Sequence, residues 1–592
     1  MKERELEEKL RQDGEKLEIP ESLGPQQIQK KLENAARTKR RPWIRAIAAA
    51  AALVLVAGSG LLLSHMKGEE GQDYGELYSA VRDLSAERDN QAGVMLIDRA
   101  GSAGLENSAK TYSGEDAATE SFSDTNIQVE GVDEGDIVKT DGAYIYILDR
   151  DYASVSIVKA EDGNADIRAV ISLEDDLTAQ DLYVAEDRLS VIGTRHTDGV
   201  DGETTAVTYN IKDRRAPEKA GSVTQSGQLN TSRREGSYLY IFSNFYPQVP
   251  ESEKKIEQYV PLVNGKALKM PEIVLPEKPR TAQYLVMTAI DLENPDRACD
   301  REAVLSSGDT FYVSRENIYA ASDRGPDTKT TEIRKFSYKD GKIQYQAAGK
   351  VKGYFNDSFS MDEYRGSLRM VTTLDGSSGS TCNNVYVLDK NMKETGSILK
   401  LAKDERIYSA RFLKDMGYFV TYRQTDPLFS VDLSDPKAPK IIGALKIPGF
   451  SQYLHFYGKD HLLGIGQASG ENGVTAGVKL SMFDISDPAD VKEESTLVIK
   501  NTYDAEVLSN HWAVMIDPQK NIFGFAASGE KGASYYIYRY DNGFRQMLAA
   551  PTGNSSHNVR GLYIGDVFYL VRTDEITSYR MSDFQKIASL KI

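Results

Sequence analysis

The sequence predicts an all-β chain, a β-propeller of about eight four-stranded blades preceded by one transmembrane helix and a short cytoplasmic tail. Three observations carry that expectation. From Asp136 onward, short β-type runs are separated by Asp, Gly, Asn and Lys turns, and no long amphipathic helical pattern interrupts them. Two kinds of hairpin alternate through this region, so that a four-stranded unit recurs about every 40 to 55 residues. Ahead of it, residues 46–66 (AIAAAAALVLVAGSGLLLSHM) carry no charge over 21 positions.

Taken in order, residues 1–45 form a charge-dense tail. Its piece Ile19 to Leu32 reads as a short extended stretch and then a helix begun after Gly24, with Pro25 near the first turn. The tail is either topogenic or a docking site for a cytoplasmic partner. The apolar segment 46–66, at ~1.5 Å per residue, would span about 31 Å, close to the hydrocarbon thickness. Lys39, Arg40, Arg41 and Arg45 precede it, whereas Glu69, Glu70 and Asp73 follow soon after, so the positive-inside rule keeps the N-terminus in the cytoplasm. Trp43 falls where an interfacial anchor would sit. Ala57, Gly58, Ser59 and Gly60 would suit a signal peptidase, but the long leading region and apolar core favour a retained anchor. The expected location is therefore a single-pass cell-membrane protein with its propeller extracellular. Residues 67–125 read as a stalk rich in Gly, Ser, Asp and Glu. It holds one helical patch in which Tyr74, Leu77, Tyr78, Val81 and Leu84 share a face.

Residues 126–592 are the repeat region. One hairpin type pairs an apolar strand with a Tyr- or Val-rich strand, as in IVKTDGAYIYIL and LHFYGKDHLLGIG. The other turns near Asp and often Pro, as in FSVDLSDPKAPKIIGAL and SMFDISDPADVKEESTL. Asp-Pro starts a turn because Pro presets φ and the Asp side chain bonds the local backbone, so these aspartates read as turn formers rather than ligands. Nine candidate units begin near residues 136, 180, 235, 308, 363, 409, 452, 511 and 560. The usual range of four to eight blades points to eight, with nine if every unit closes its own sheet. No blade can bury its faces alone; radial stacking does so and protects all but short outer edges. The third unit contains a long excursion, 246–282, rich in Pro, Lys and Glu.

Composition removes several functions. The chain carries 72 Lys+Arg against 88 Asp+Glu, a net charge of -16. Of these, 12 basic and 9 acidic residues precede the apolar segment, which leaves a net of -19 after it. That balance is wrong for neutralising phosphates, so no nucleic acid is expected as a partner. Cys299 and Cys382 cannot make a disulfide framework or a four-Cys zinc site, and their units are not neighbours, so they read as separate thiols.

The pieces TNIQVEGVDEGDIVKTDGAYIYIL (Thr125 to Leu148), YRGSLRMVTT (Tyr364 to Thr373), ERIYSARF (Glu405 to Phe412), TYRQTDPLFSVDLSDP (Thr421 to Pro436), IPGFSQYLHFYGKDHLLGIG (Ile447 to Gly466) and RGLYIGD (Arg560 to Asp566) resemble a family of bacterial exported or membrane-anchored proteins with a C-terminal β-propeller domain, distantly WD40-like. The resemblance implies the propeller, export and a single N-terminal anchor. It implies no reaction, and fold alone does not supply one.

Two groups of residues are candidate sites. The run VEGVDEGDIVKTDG places Glu130 with Asp133, Glu134, Asp136 and Asp141 within twelve residues, enough carboxylates to offer calcium several oxygen ligands, although without the EF-hand order. The other reading is a blade-entry strand whose carboxylates cap turns or face water. Arg411, Arg423, Asp426 and His455 lie near strand ends of neighbouring units, where a ring would bring them into one polar patch able to hold a carboxylate or phosphate. In a propeller such groups also serve as buried Arg–Asp bridges between blades. The histidines show no metal-binding spacing, and the sequence contains no GxSxG elbow and no GxxxxGK[ST] loop.

The expected function is a membrane-anchored extracellular β-propeller acting as a binding scaffold at the cell envelope, for a protein, peptide or polysaccharide. The excursion 246–282, with Lys254, Lys255, Lys266, Lys269 and Lys278, is its most distinctive candidate contact surface. The alternative is an extracellular hydrolase or lyase with its site at the channel mouth.

Overall fold

The computed structural model describes residues 73–95, 122–123, 125–149, 151–196, 202–323, 329–376, 379–422, 426–447, 449–469 and 475–592. The tail and the apolar segment 46–66 lie outside the described residues. Among the described residues no helix is long and apolar enough to cross a membrane.

Nine antiparallel sheets follow one another along the chain, at 138–172, 177–226, 228–305, 310–352, 361–401, 406–447, 450–500, 502–553 and 559–591. Each is built on four strands, consecutive along the chain except in the third, where the excursion 246–282 intervenes, and we number the blades 1 to 9 in this order. The count is nine rather than the eight that the usual size range favours, because every sequence unit closes its own sheet. The inner strands of a blade are enclosed, as in Arg406–Leu413 and Met416–Tyr422 of blade 6, whereas fourth strands such as Asn164–Ser172 alternate half-buried and exposed residues. First strands of neighbouring blades meet one another, as Arg406–Leu413 and Phe450–Phe456 do, and so line the axis. The apolar cores lie between blades: Val371, Val385 and Val387 of blade 5 pack with Ala410, Phe419 and Val431 of blade 6, and similar clusters join the other neighbours.

The Asp-Pro turns do what their chemistry requires. Asp432 and Asp435 of blade 6 accept the backbone N–H of Ser434 and Lys437, each at 2.9 Å. Asp484 and Asp487 repeat the arrangement in blade 7, accepting from Ser486 and Ala489.

The excursion 246–282 is ordered. Its hairpin Leu262–Val263 and Lys266–Ala267 extends the outer edge of blade 2, and Ile273–Val274 adds a parallel strand to the outer edge of blade 3. Tyr259, Val260 and Leu268 are fully buried, while all five lysines remain exposed. The helical patch of the stalk is real and docks on this excursion. Helix α1, Gly75–Met95, buries Leu77 and Val81 at helical spacing. Just before it, Tyr74 donates its hydroxyl to the Leu268 carbonyl at 2.9 Å, and Tyr78 meets the Tyr259 ring edge-on at 5.5 Å.

What closes the ring is the segment 122–136, just ahead of blade 1. At its start Phe122 pairs with Ile564 of blade 9, and Ser123 donates to the Tyr563 carbonyl at 3.0 Å. At its end Asp133 pairs with Arg234 of blade 3, and Asp136 with Leu182 of blade 2. Between these points Asn126 bonds the Tyr453 hydroxyl of blade 7 and the His511 carbonyl of blade 8, and Gln128 bonds the Ser358 carbonyl ahead of blade 5. One short segment can touch six blades only by running through the channel, and it acts as a plug. Two innermost strands are interrupted to receive it. In blade 5 the 3-10 turn Ser358–Ser360 precedes the strand, and in blade 8 the turns Glu506–Leu508 and His511–Ala513 split the strand in two. Two glycines let the plug bend and pass: Gly131 has φ +85°, and a Cβ on Gly135 would lie 2.4 Å from the Asp181 carboxyl carbon.

Leu77→Ala should weaken the docking of helix α1 by about 2 to 5 kcal/mol, the ordinary cost of emptying a buried leucine site. Limited proteolysis should then cut within 73–95 faster while the main unfolding transition stays in place; a lowered main transition would mean that the helix is integral to the ring.

Candidate functional site

The plug is held by charge. Glu134 is almost wholly buried and accepts from His511 Nε2 at 3.0 Å, Trp512 Nε1 at 2.9 Å and the backbone N–H of Gln128 at 3.2 Å, with Arg233 Nε 3.5 Å away. Burial by itself would raise its pKa, but Arg233 and the donors outweigh that and bring the carboxyl down to about 2. Burial holds His511 in its neutral form, with its pKa lowered to about 4 against the pull of Glu134, so the imidazole serves as a neutral donor. Asp136 takes Arg560 Nε on both oxygens, at 3.0 and 2.9 Å, and the same guanidinium reaches Glu506 at 3.1 Å. Plug, blade 8 and blade 9 are tied at that one arginine.

The four carboxylates expected to share a cation are therefore spread over four sets of partners. Asp133 faces Lys139 at 2.8 Å and Arg234 at 2.9 Å, and Glu134 and Asp136 are engaged as above. Asp141 caps the first turn of blade 1, accepting from the backbone of Ala143 and Tyr144 and from the Tyr146 hydroxyl, with Arg214 at 3.2 Å. An extended segment sends successive side chains to opposite sides, which disperses carboxylates that are adjacent in sequence. Among the described residues no group of three or more His, Cys, Asp or Glu is placed to hold a metal ion, so no gathered oxygen set for calcium is found there. Both cysteines are free thiols.

Of the second group, the structure brings Arg411 and His455 together. Both sit on innermost strands, of blades 6 and 7, and Tyr453 stands between them. Its hydroxyl lies 3.0 Å from His455 Nδ1, and the Arg411 guanidinium carbon lies 5.0 Å from its ring centroid. Arg423 lies outside the described residues. Asp426 begins the third strand of blade 6, pairing with Ile447, two strands away from the channel wall, and its side chain is likewise outside the description.

Arg411 lines a cavity of about 600 Å³ on the face that carries the turns between first and second strands. Tyr312, Phe359, Met361, Phe412 and Phe456 supply its apolar wall, Gln128 to Glu130 of the plug close one side, and Glu316, Arg365 and Lys414 stand at the rim. The guanidinium carbon sits 3.3 Å from the Phe359 ring centroid. Arg411 Nη1 donates to the Ala410 carbonyl, while its Nε and Nη2 are buried without a hydrogen-bond partner among the described residues. Burial pushes the pKa down to about 10, partly offset by Tyr453 and Asp357, so the group is still a cation at neutral pH. Burial also raises the Asp357 carboxyl to about 6, against the pull of Arg411.

A second cavity, of about 890 Å³, opens over blades 1 to 3. There the arginines are matched: Arg214 with Asp141 and Asp187, Arg234 with Asp133, and Arg188 with Glu293. Sequence reasoning missed Arg233, His511, Trp512, Phe359 and Tyr453. Arg233 and Tyr453 stand on innermost strands, whereas Phe359, His511 and Trp512 stand on the 3-10 turns that interrupt such strands, and no local sequence pattern singles them out.

The model of the Beta propeller domain family matches residues 122–584, from the plug through blade 9, and the chain belongs to that family. An uncharacterized protein of Archaeoglobus fulgidus is 40% identical over 282 residues, which is 48% of this chain and 42% of that protein. An uncharacterized protein of Methanocaldococcus jannaschii is 32% identical over 246 residues, 41% of this chain and 38% of that protein. The chain thus spans about two fifths of the length of the curated relatives it matches, and both are archaeal. Among solved structures, a putative 6-phosphogluconolactonase of Bacteroides fragilis is 11% identical with a TM-score of 0.33, covering 69% of this chain and 97% of that one. The periplasmic gluconolactonase of Pseudomonas aeruginosa is 8% identical with a TM-score of 0.35, covering 52% and 92%. At these scores nothing about a site or a reaction is carried across.

Arg560→Met should cost about 3 to 5 kcal/mol of unfolding free energy, because it strands two buried carboxylates. Arg580→Ala, which breaks an exposed pair with Asp583, should cost less than about 1 kcal/mol.

The pH response of the plug follows from the two shifts. Both folded values are depressed, so the unfolded chain takes up protons first. The His511 contribution is full above pH 6.5 and is lost toward its folded value of about 4, and the Glu134 contribution is lost below 4.5 toward about 2. Asp323 and Asp357, raised by burial to about 7 and about 6, act in the opposite sense between pH 3.8 and those values. The difference between the melting profiles of the wild type and His511→Gln isolates the histidine. Its slope should lie between pH 6.5 and 4, and a flat difference would refute the neutral buried assignment.

Proposed function

We propose that this chain is a binding propeller displayed outside a cell membrane, anchored through residues 46–66 with its N-terminus in the cytoplasm, and that it engages a partner at the cell envelope through the cavity beside the plug. The observation that carries this reading is the cavity of about 600 Å³ bounded by the plug and blades 4 to 7, with the buried Arg411 in its wall. That volume suits a small ligand or the end of a peptide or glycan. The channel axis supports binding better than chemistry. Glu134, Asp136 and His511 are committed to Arg233, Trp512, Arg560 and one another, and so hold the ring together rather than standing ready to move protons. The hydrolase or lyase alternative would rest on His455, which is buried and joined to the Tyr453 hydroxyl. The exposed lysines of the excursion 246–282 offer a separate lateral surface for the same partner or another.

A photoreactive residue at Lys414, on the cavity rim, should form an adduct in intact host cells that is absent when the same residue replaces Lys591 on the outer strand of blade 9. Equal labelling at the two positions would reject the cavity as the contact. Added protease on intact cells should remove a C-terminal tag and spare an N-terminal one, and the reverse pattern would reject the orientation.

A further inference from the structure

We infer that the Arg411 cavity is a receptor for an anionic group, a carboxylate or a phosphate monoester, borne on a flat apolar body. This deepens, and rests on, the reading of that cavity as the binding site. The two guanidinium nitrogens left without partners, Nε and Nη2, form one edge of the group, with both N–H bonds pointing the same way. That edge is the fork which takes two oxygens of a carboxylate or phosphate side by side.

Among the described residues neither nitrogen has a hydrogen-bond partner of good geometry, although Tyr453 and Asp357 both favour the charge. The Tyr453 hydroxyl is already joined to Asn126 and His455. The Asp357 carboxyl already accepts from the Ser360 backbone and from Asn356. The ion pairs elsewhere around the cavity are closed: Arg369 with Asp362, Arg365 with Asp415 and Arg315 with Glu130. Arg411 itself is 4% exposed. A buried cation lacking acceptors is costly, and a bound anion would relieve that cost. The guanidinium is pinned by stacking on Phe359 and by the Nη1 bond to Ala410, so its fork is set before anything binds. Phe412, Phe456, Met361 and Tyr312 then favour a planar apolar body behind the charge.

The test uses the full chain and three probes of one shape: benzoate, phenyl phosphate and the neutral benzamide. Titration calorimetry should show benzoate or phenyl phosphate binding at least about tenfold more tightly than benzamide, as expected for a charge-assisted fork. The tighter of the two anions identifies the source of the group. Arg411→Met, which keeps volume and removes charge, should abolish that preference. Should Arg411→Met fail to fold, 4-iodobenzoate soaked into crystals of the wild type gives an independent reading: its carboxylate should lie on Nε and Nη2. An anion preference that survives Arg411→Met, a carboxylate found elsewhere, or no anion binding would overturn the inference. Binding of all three probes in the cavity with equal affinity would overturn the anion inference and leave the binding-site reading standing. No probe in the cavity, together with no adduct at Lys414, would remove both.

Discussion

Ring closure in this propeller depends on ion pairs buried on its axis. The first blade is made of the strands within 138–172 and the last of those within 559–591, so the two share no strand. Their outer strands meet side by side, and the Ser578 hydroxyl bonds the Gly163 carbonyl, but a contact of that kind does not lock a ring. The lock is the plug, which begins on blade 9, crosses the channel and leaves between blades 3 and 2. Charges pulled this far from water are stable only when their oxygens and N–H groups are nearly all used. Glu134, with four partners, and Arg560, shared between Asp136 and Glu506, meet that condition. The acidic character of the segment is thus a requirement of closure.

The same requirement shapes the walls. A channel lined by nine continuous strands would present only pleated backbone and alternating side chains to a segment crossing it. The breaks in the first strands of blades 5 and 8 turn peptide carbonyls and side chains inward, and the plug amides use them: Gln128 on Ser358 and Asn126 on His511. The break in blade 5 also delivers Phe359, on which Arg411 stacks. The cavity and its unmatched arginine are a by-product of how the plug is seated, placed where the plug turns at Gly131 and leaves blades 4 to 6 uncovered. Over blades 1 to 3 the chain continues into matched pairs, and no cation is left over among the arginines of that cavity.

Much of the architecture was legible because it is local. Hairpin turns such as DLSDP and DISDP announce themselves through Asp and Pro chemistry, and the Tyr-rich second strands through period-two alternation. The helix at Tyr74 to Leu84 was visible as an apolar face, but its partner was not, since Tyr259 and Leu268 lie about 190 residues away in a stretch whose charges suggested an open surface. The site was legible only in part. The logic of a ring expects Arg411, Arg423, Asp426 and His455 in one patch. Arg411 and His455 stand on innermost strands with Tyr453 between them, whereas Asp426 begins the third strand of blade 6, because position along the sequence does not say which strand of a blade a residue occupies. The carboxylates of VEGVDEG were recognisable as a cluster, yet their counter-charges Arg233, His511 and Arg560 are about 100 to 425 residues away and carry no pattern that links them to it.

The repeating four-stranded unit and the turns that bound it can be read along the chain, because each depends on residues within hydrogen-bonding reach along the backbone, and the acidic balance follows from composition alone. Tertiary contacts settle that all nine units close into blades, that the acidic run crosses the channel with its carboxylates on separate partners, and that Arg411 keeps an edge unpaired among the described residues. Those outcomes depend on which distant side chains meet in a space without water, where a charge must find its partner or remain exposed to a ligand that brings one.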